Sequence, residues 1–150
     1  MSLKDKLTAD MKSAMKEKEA GKLRLSVIRM VRANIKYAEI EQKTELTDEQ
    51  VLDVLTKEVK MRRDSIEEFT KGNRPELVEN LEREIEVLMH YLPKQLSEAE
   101  IRTLAQAAVT KSGASTAKEM GKVMAILMPS VKGKADGKLV NTIVRELLQS

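Results

Sequence analysis

The stretch "EIEVLMHYLPKQLSEAEI", Glu84 to Ile101, decides the fold. It begins inside an apolar stripe at helical spacing, Leu77, Leu81, Ile85 and Leu88. It ends at a fresh helix start, because Ser97-x-x-Glu100 reads as a capping box. Between them Pro93 disfavours helical backbone at Leu92 and ends the first helix close by. The chain therefore divides here. Residues 1–93 read as an N-terminal helical domain and residues 94–150 as a C-terminal tail domain, joined by a short hinge.

Outward from this break, every segment repeats at the helical period. Leu3, Leu7, Met11 and Met15 mark a first helix ending near Gly21. Leu25, Ile28, Val31 and Ile35 mark a second, from about Lys22 to Gln42. Thr47-x-x-Gln50 caps a third, which carries Val51, Leu55, Val59, Ile66 and Phe69 and stops near Gly72. Asn73 and Pro75 open the fourth, since proline fits the first helical turn. Beyond the break, Ser97 opens a fifth helix, Thr116-x-x-Glu119 a sixth after Gly113, and Asp136 caps a seventh. The sequence thus predicts an all-α fold, four helices followed by a small group of three. Composition agrees. Aromatic residues are only 2% of the 150, so Leu, Ile, Val, Ala and nine Met must fill the cores.

Several function classes drop out early. There is no cysteine, hence no disulfide, thiol nucleophile or thiolate metal site. No apolar run approaches the ~20 residues of a membrane span, and the N-terminus has no secretory h-region. These features predict a cytoplasmic protein. His90 is the only histidine. At the end of an apolar helix it reads as structural, with no nucleophile or orienting acid marked around it. Glu76, Glu79, Glu82, Glu84 and Glu86 interleave with apolar positions and read as a solvated acidic face. No metal-ligand spacing appears, so neither metal nor cofactor is implied.

Charge is distributed unevenly. Residues 1–93 hold 18 Lys+Arg against 19 Asp+Glu, whereas residues 94–150 hold 9 against 5. The excess gathers around "VKGKADGK", Val131 to Lys138. A Walker A loop needs four residues between its glycines, then Lys and Ser or Thr, after a strand. Here three residues separate Gly133 from Gly137, Leu139 follows Lys138, and the preceding segment is helical. A nucleotide-hydrolysing loop is excluded. Anion binding at the N-terminus of the seventh helix is opposed by Asp136, whose carboxylate would occupy the free amides. Phosphates would then meet side chains: Lys132, Lys134 and Lys138, with Lys122 and Arg145 as additions. Lys138 and Arg145 are seven apart and share a helical face. Such contacts hold backbone phosphate without reading bases. Gly133 and Gly137 would give the turn its freedom. Elsewhere, Met120, Met124 and Met128 read as core, and Arg29, Arg32 and Lys36 as a solvated basic stripe opposite the apolar face of the second helix.

Two pieces carry a resemblance. They are a Y-L-P-x-Q-L-S break, Tyr91 to Ser97, and a G-K-V-M…G-K-A-D-G-K pattern, Gly121 to Lys138. Through them the chain resembles the GatB/YqeY family over essentially its whole length, and most closely the stand-alone bacterial members. The resemblance implies an all-helical fold in two parts. It implies a tail similar to the C-terminal region of the GatB component of the tRNA-dependent amidotransferase, a module linked to tRNA binding and appended to some glutaminyl-tRNA synthetases. The catalytic parts of that enzyme lie in a cradle and an amidase component for which this chain has no room and no signature. The leading expectation is a non-catalytic tRNA-binding or tRNA-enzyme accessory protein, with tRNA as partner. The alternative is an adaptor docking on an aminoacyl-tRNA synthetase or amidotransferase. A third reading, carbon-nitrogen ligation with glutamine as amido donor, follows from the family name alone.

Overall fold

The computed structural model describes residues 1–149, and among them all regular structure is helical. The seven α-helices fall four and three, as the periodicity predicts. The chain resolves into two compact units, Met1–Leu92 and Pro93–Ser150.

In the first unit α1 spans Leu3–Lys16, α2 Lys22–Gln42, α3 Asp48–Lys71 and α4 Pro75–Met89. α1 packs on α2 and α3 on α4. Their stripes meet in one core of Leu7, Val27, Ile28, Val31, Ile35, Leu46, Val51, Leu55, Val59, Leu88 and Tyr91. The first helix is shorter than its apolar repeat suggests. Lys18 takes a positive φ of 54°, and a 3-10 turn, Lys18–Gly21, replaces the last helical turn. Gly21 then lies against α1 so closely that a Cβ there would sit 2.3 Å from the Ala14 carbonyl oxygen. Ala14 is itself fully buried. Small residues at both positions permit this tight return.

The helix ends show which local signals carry through. Thr47 and Gln50 form the predicted capping box, with the Gln50 amide donating to the Thr47 hydroxyl at 3.2 Å. α3 stops differently from expectation. Gly72 has an ordinary φ of −82°, and Asn73 takes the left-handed conformation at φ 55°. The Arg74 amide then bonds the Phe69 carbonyl and the Asn73 amide that of Thr70, at 2.9 and 3.1 Å. This is a Schellman closure with asparagine in the place glycine often takes.

The first unit also buries charge. Arg62 and Glu58 are 6% and 5% exposed. The Arg62 guanidinium donates to Glu58 at 2.6 Å and to Glu84 of α4 at 3.0 Å. Asn34 of α2 donates to the other Glu58 oxygen at 2.5 Å. Three helices are thereby tied through one guanidinium and its carboxylate. Glu84 therefore leaves the acidic face on which the sequence places it: it accepts a buried cation. Glu76 and Glu79 stay at the surface, paired with Arg74 and Arg83.

The second unit contains α5 Glu98–Ser112, α6 Met120–Val131 and α7 Gly137–Gln149. Ser97 and Glu100 form the capping box of α5, and Gly113 closes it in the left-handed conformation at φ 73°. Thr116 does not cap α6 directly. A 3-10 turn, Ala117–Glu119, intervenes, and the Thr116 side chain caps no backbone amide. The core is Ile101, Ala105, Ala108, Ala114, Val123, Leu127, Val131, Val140, Ile143, Val144 and Leu148. Met120 and Met124 pack against it, but Met128 is 43% exposed and leaves the predicted core stripe.

Candidate functional site

The glycine-lysine segment is the connection between α6 and α7, and backbone geometry accounts for its shape. Lys132 has φ −57° and ψ 123°, Gly133 follows at φ 74°, and the Lys134 amide bonds the Val131 carbonyl at 2.9 Å. Those values define a type II turn with Lys132 and Gly133 at its centre. The third residue of that turn must be left-handed, which glycine alone adopts at no steric cost. Gly137 is different. It is the first residue of α7, has open space where a Cβ would be, and needs no special conformation.

Asp136 accepts from the Lys138 amide at 3.3 Å. An anionic oxygen thus already sits at the α7 N-terminus, where the helix dipole favours it. The loop is fixed from beneath by residues just after the break. The Gln95 side-chain amide donates to the Gly133 carbonyl at 3.0 Å and to the Pro93 carbonyl at 2.9 Å. The Leu96 amide donates to the Lys134 carbonyl at 2.8 Å. Loop carbonyls are thereby turned toward protein donors, while the Lys132 and Lys134 side chains are exposed.

The five cations named from sequence separate into groups. Lys132, Lys134 and Lys138 belong to one loop and the first turn after it. Arg145 lies seven residues further on the exposed side of α7, opposite Val140, Ile143, Val144 and Leu148, about 10 Å along the axis from Lys138. Lys122 lies near the other end of α6, roughly 15 Å along its axis from Lys132, and is 3.8 Å from Glu119. It does not join the loop group. Gln95 is the residue that charge and spacing overlooked. Its partner lies 38 positions away, although it is the fixed glutamine of the Y-L-P-x-Q-L-S motif.

His90 caps α4 and packs edge-on against Tyr91, with ring centroids 5.4 Å apart. The Tyr91 hydroxyl donates to the Asp10 carboxylate. Burial first, and this bond second, hold the phenol well above its ordinary pKa. The pair locks α1 to the end of α4, a packing role. Among the described residues no group of three or more His, Cys, Asp or Glu is placed to hold a metal ion, and no helix is long and apolar enough to cross a membrane.

Residues 4–148 match the family model described as Yqey-like protein. The chain is 33% identical over 148 residues to a Pyrenophora tritici-repentis protein named "Altered inheritance of mitochondria protein 41, mitochondrial", covering 95% of this chain and 79% of the relative. Proteins of the same name from Lachancea thermotolerans and Kluyveromyces lactis are each 44% identical, over 98 and 86 residues. Those matches cover 63% and 57% of this chain but only 51% and 45% of the relatives, so the chain spans about half the length of these two. The names correct the cytoplasmic expectation, since these relatives are mitochondrial proteins. That expectation drew on disulfide chemistry and on the secretory h-region, which bear only on the secretory route. A mitochondrial address is amphipathic and basic and has no apolar h-region.

Proposed function

Because the chain belongs to the YqeY-like family, we propose that it is a non-catalytic accessory protein of tRNA-dependent chemistry, contacting tRNA phosphates through its second unit. Residues 94–150 act in this reading as the RNA-contacting domain, and the likeness to stand-alone bacterial members belongs to the same reading. The contact is made by Lys132, Lys134 and Lys138, extended along α7 by Arg145 and at a distance by Lys122. One observation supports it above others. The lysine loop is held by Gln95 and Leu96 through its carbonyls, so ordering its backbone costs little on binding. With Asp136 at the α7 amides, phosphate contact runs through side chains. Such contacts position a folded RNA and read no bases. The scarcity of aromatics likewise favours shape and phosphate recognition over base stacking.

A gel shift with total tRNA tests this. Wild type is expected to bind in a salt-dependent way, and Lys132→Ala/Lys134→Ala/Lys138→Ala to bind at least tenfold more weakly, because each cation withdrawn from a phosphate weakens electrostatic binding. Equal binding by both proteins, or none by either, contradicts the proposal.

The second reading, an adaptor for a synthetase or amidotransferase, is favoured by α2. Met30, Tyr37 and Ile40 are 47%, 73% and 65% exposed on one side of that helix. A nuclease-resistant pull-down of either enzyme, abolished in Tyr37→Ser/Ile40→Ser, would support it. Capture that disappears with nuclease returns the interaction to RNA.

A further inference from the structure

An open cleft of about 500 Å³ runs between α1 and α2, with Lys4, Leu7, Arg29, Arg32, Lys36 and Glu39 among its walls. Four cations thus face one carboxylate. That carboxylate is already engaged, since one Glu39 oxygen accepts from Lys4 at 2.6 Å and from the Leu46 amide at 2.9 Å. The arginines are not so provided. Among the described residues Arg29 has no carboxylate partner. The Arg32 guanidinium, half-buried, donates only to the Met11 thioether, at 2.8 Å. A thioether is a weak acceptor, and a guanidinium carries five donors in a fixed fork. Most donors of this half-buried fork are therefore left to groups from outside the protein.

The sequence brings these groups close together. Arg29, Arg32 and Lys36 follow each other at one-turn spacing on α2. Arg32 flanks the apolar face and is half-buried, while Arg29 and Lys36 stay exposed at the rim of the cleft. The solvated stripe expected from the sequence holds for Arg29 and Lys36, and Arg32 departs from it. Leu7 supplies an apolar surface beside the charges.

We infer that this cleft binds a phosphate-bearing small molecule, with the phosphate between Arg29 and Arg32 and Lys36 closing the outer side. Phosphate suits the site because its several oxygens and double charge satisfy two forks at once. A small ligand suits it because the open cleft between the two helices has the volume of a small-molecule site. No aromatic side chain lines it, so the phosphate itself is the recognised group. The site lies in the first unit and does not depend on the tRNA reading of the second.

The test is calorimetric titration of the full chain with pyrophosphate and with adenosine monophosphate at low salt. Wild type is expected to bind both. Arg29→Gln/Arg32→Gln should weaken binding about tenfold or more, since each guanidinium–phosphate bond is charge-assisted. Lys132→Gln/Lys134→Gln/Lys138→Gln should leave pyrophosphate affinity unchanged. Should the double variant fail to fold, Lys36→Gln, at an exposed position, carries the test with a loss of about threefold. The inference is overturned if wild type does not bind either probe at millimolar concentration, or if the arginine variant, or Lys36→Gln in its place, binds as tightly as wild type. It is equally overturned if total tRNA displaces pyrophosphate and Arg29→Gln/Arg32→Gln weakens tRNA binding to the same extent. The phosphate would then be an RNA backbone group and not a small ligand.

Discussion

The two units use charge in opposite ways. In Met1–Leu92 charged groups are part of the packing: Arg62 with Glu58 and Glu84, Lys4 with Glu39, and Asp10 with the Tyr91 hydroxyl. In Pro93–Ser150 the core is wholly apolar. Among the described residues the two buried charged side chains, Glu58 and Arg62, both belong to the first unit. The second unit keeps its loop lysines outside, where they contribute little to folding, although Arg102 pairs with Glu98 and with Glu146 of α7. Removing Arg62 should therefore unfold the first unit, whereas removing the loop lysines should leave the second folded. Net charge cannot reveal this. The first 93 residues are nearly balanced because their charges answer one another, and the last 57 are basic because, in the proposed reading, several of theirs have an external use.

The sharpest way to break this contrast is Arg62→Met. It leaves the buried Glu58 and the partly buried Glu84 without their cation and should cost about 3–5 kcal/mol of stability, read from urea denaturation. The triple substitution of Lys132, Lys134 and Lys138 by alanine should cost less than about 1 kcal/mol in the same assay. A similar cost for both would erase the distinction.

Backbone substitutions come next. Gly21→Ala drives a methyl into the Ala14 carbonyl, which is backbone and cannot swing aside. A loss of about 1–3 kcal/mol is expected from overpacking, seen as a lower melting temperature. In the second unit Gly133→Ala forces an L-residue into the left-handed turn position, at about 1–2 kcal/mol. Gly137→Ala, in open space at the start of α7, should be neutral or slightly stabilising. If the two glycines of the loop respond alike, the type II turn is not what shapes it.

These expectations also separate what was legible in the sequence from what was not. Thr47–Gln50 and Ser97–Glu100 were readable because both partners sit three residues apart and act on local amides. The same spacing at Thr116–Glu119 misled, because a three-residue pattern does not distinguish an α-helical start from a 3-10 turn. Helix count and the apolar stripes were readable from period alone. Arg62, by contrast, looked like one more surface arginine. Its Glu84 partner lies 22 residues away, and only tertiary packing makes it buried. Gln95 was opaque for the same reason, and so was the partial burial of Arg32 in a cleft wall. At the basic loop, residue types and exposure were legible, whereas the clamp that fixes its backbone was not.

The smallest effect concerns pH. Glu39 is held below its ordinary pKa, first by the Lys4 hydrogen bond and then by the Leu46 amide. Its contribution to the first unit is present above the ordinary glutamate value and is lost as pH falls through the depressed one. Carboxyl NMR titration should find Glu39 below the ordinary glutamate value, and Lys4→Met should return it toward that value. An unshifted Glu39 would show that this tie does not hold the first unit together.

The central claim is that the lysines of the α6–α7 loop serve a polyanion more than the fold. It is tested most directly by the salt dependence of tRNA affinity, measured for wild type and for Lys132→Ala/Lys134→Ala/Lys138→Ala, each with a parallel melt. Withdrawing three cations from phosphate should reduce the slope of log affinity against log salt by roughly 2–3, with the melting curve nearly unchanged. Identical slopes for the two proteins would contradict the account.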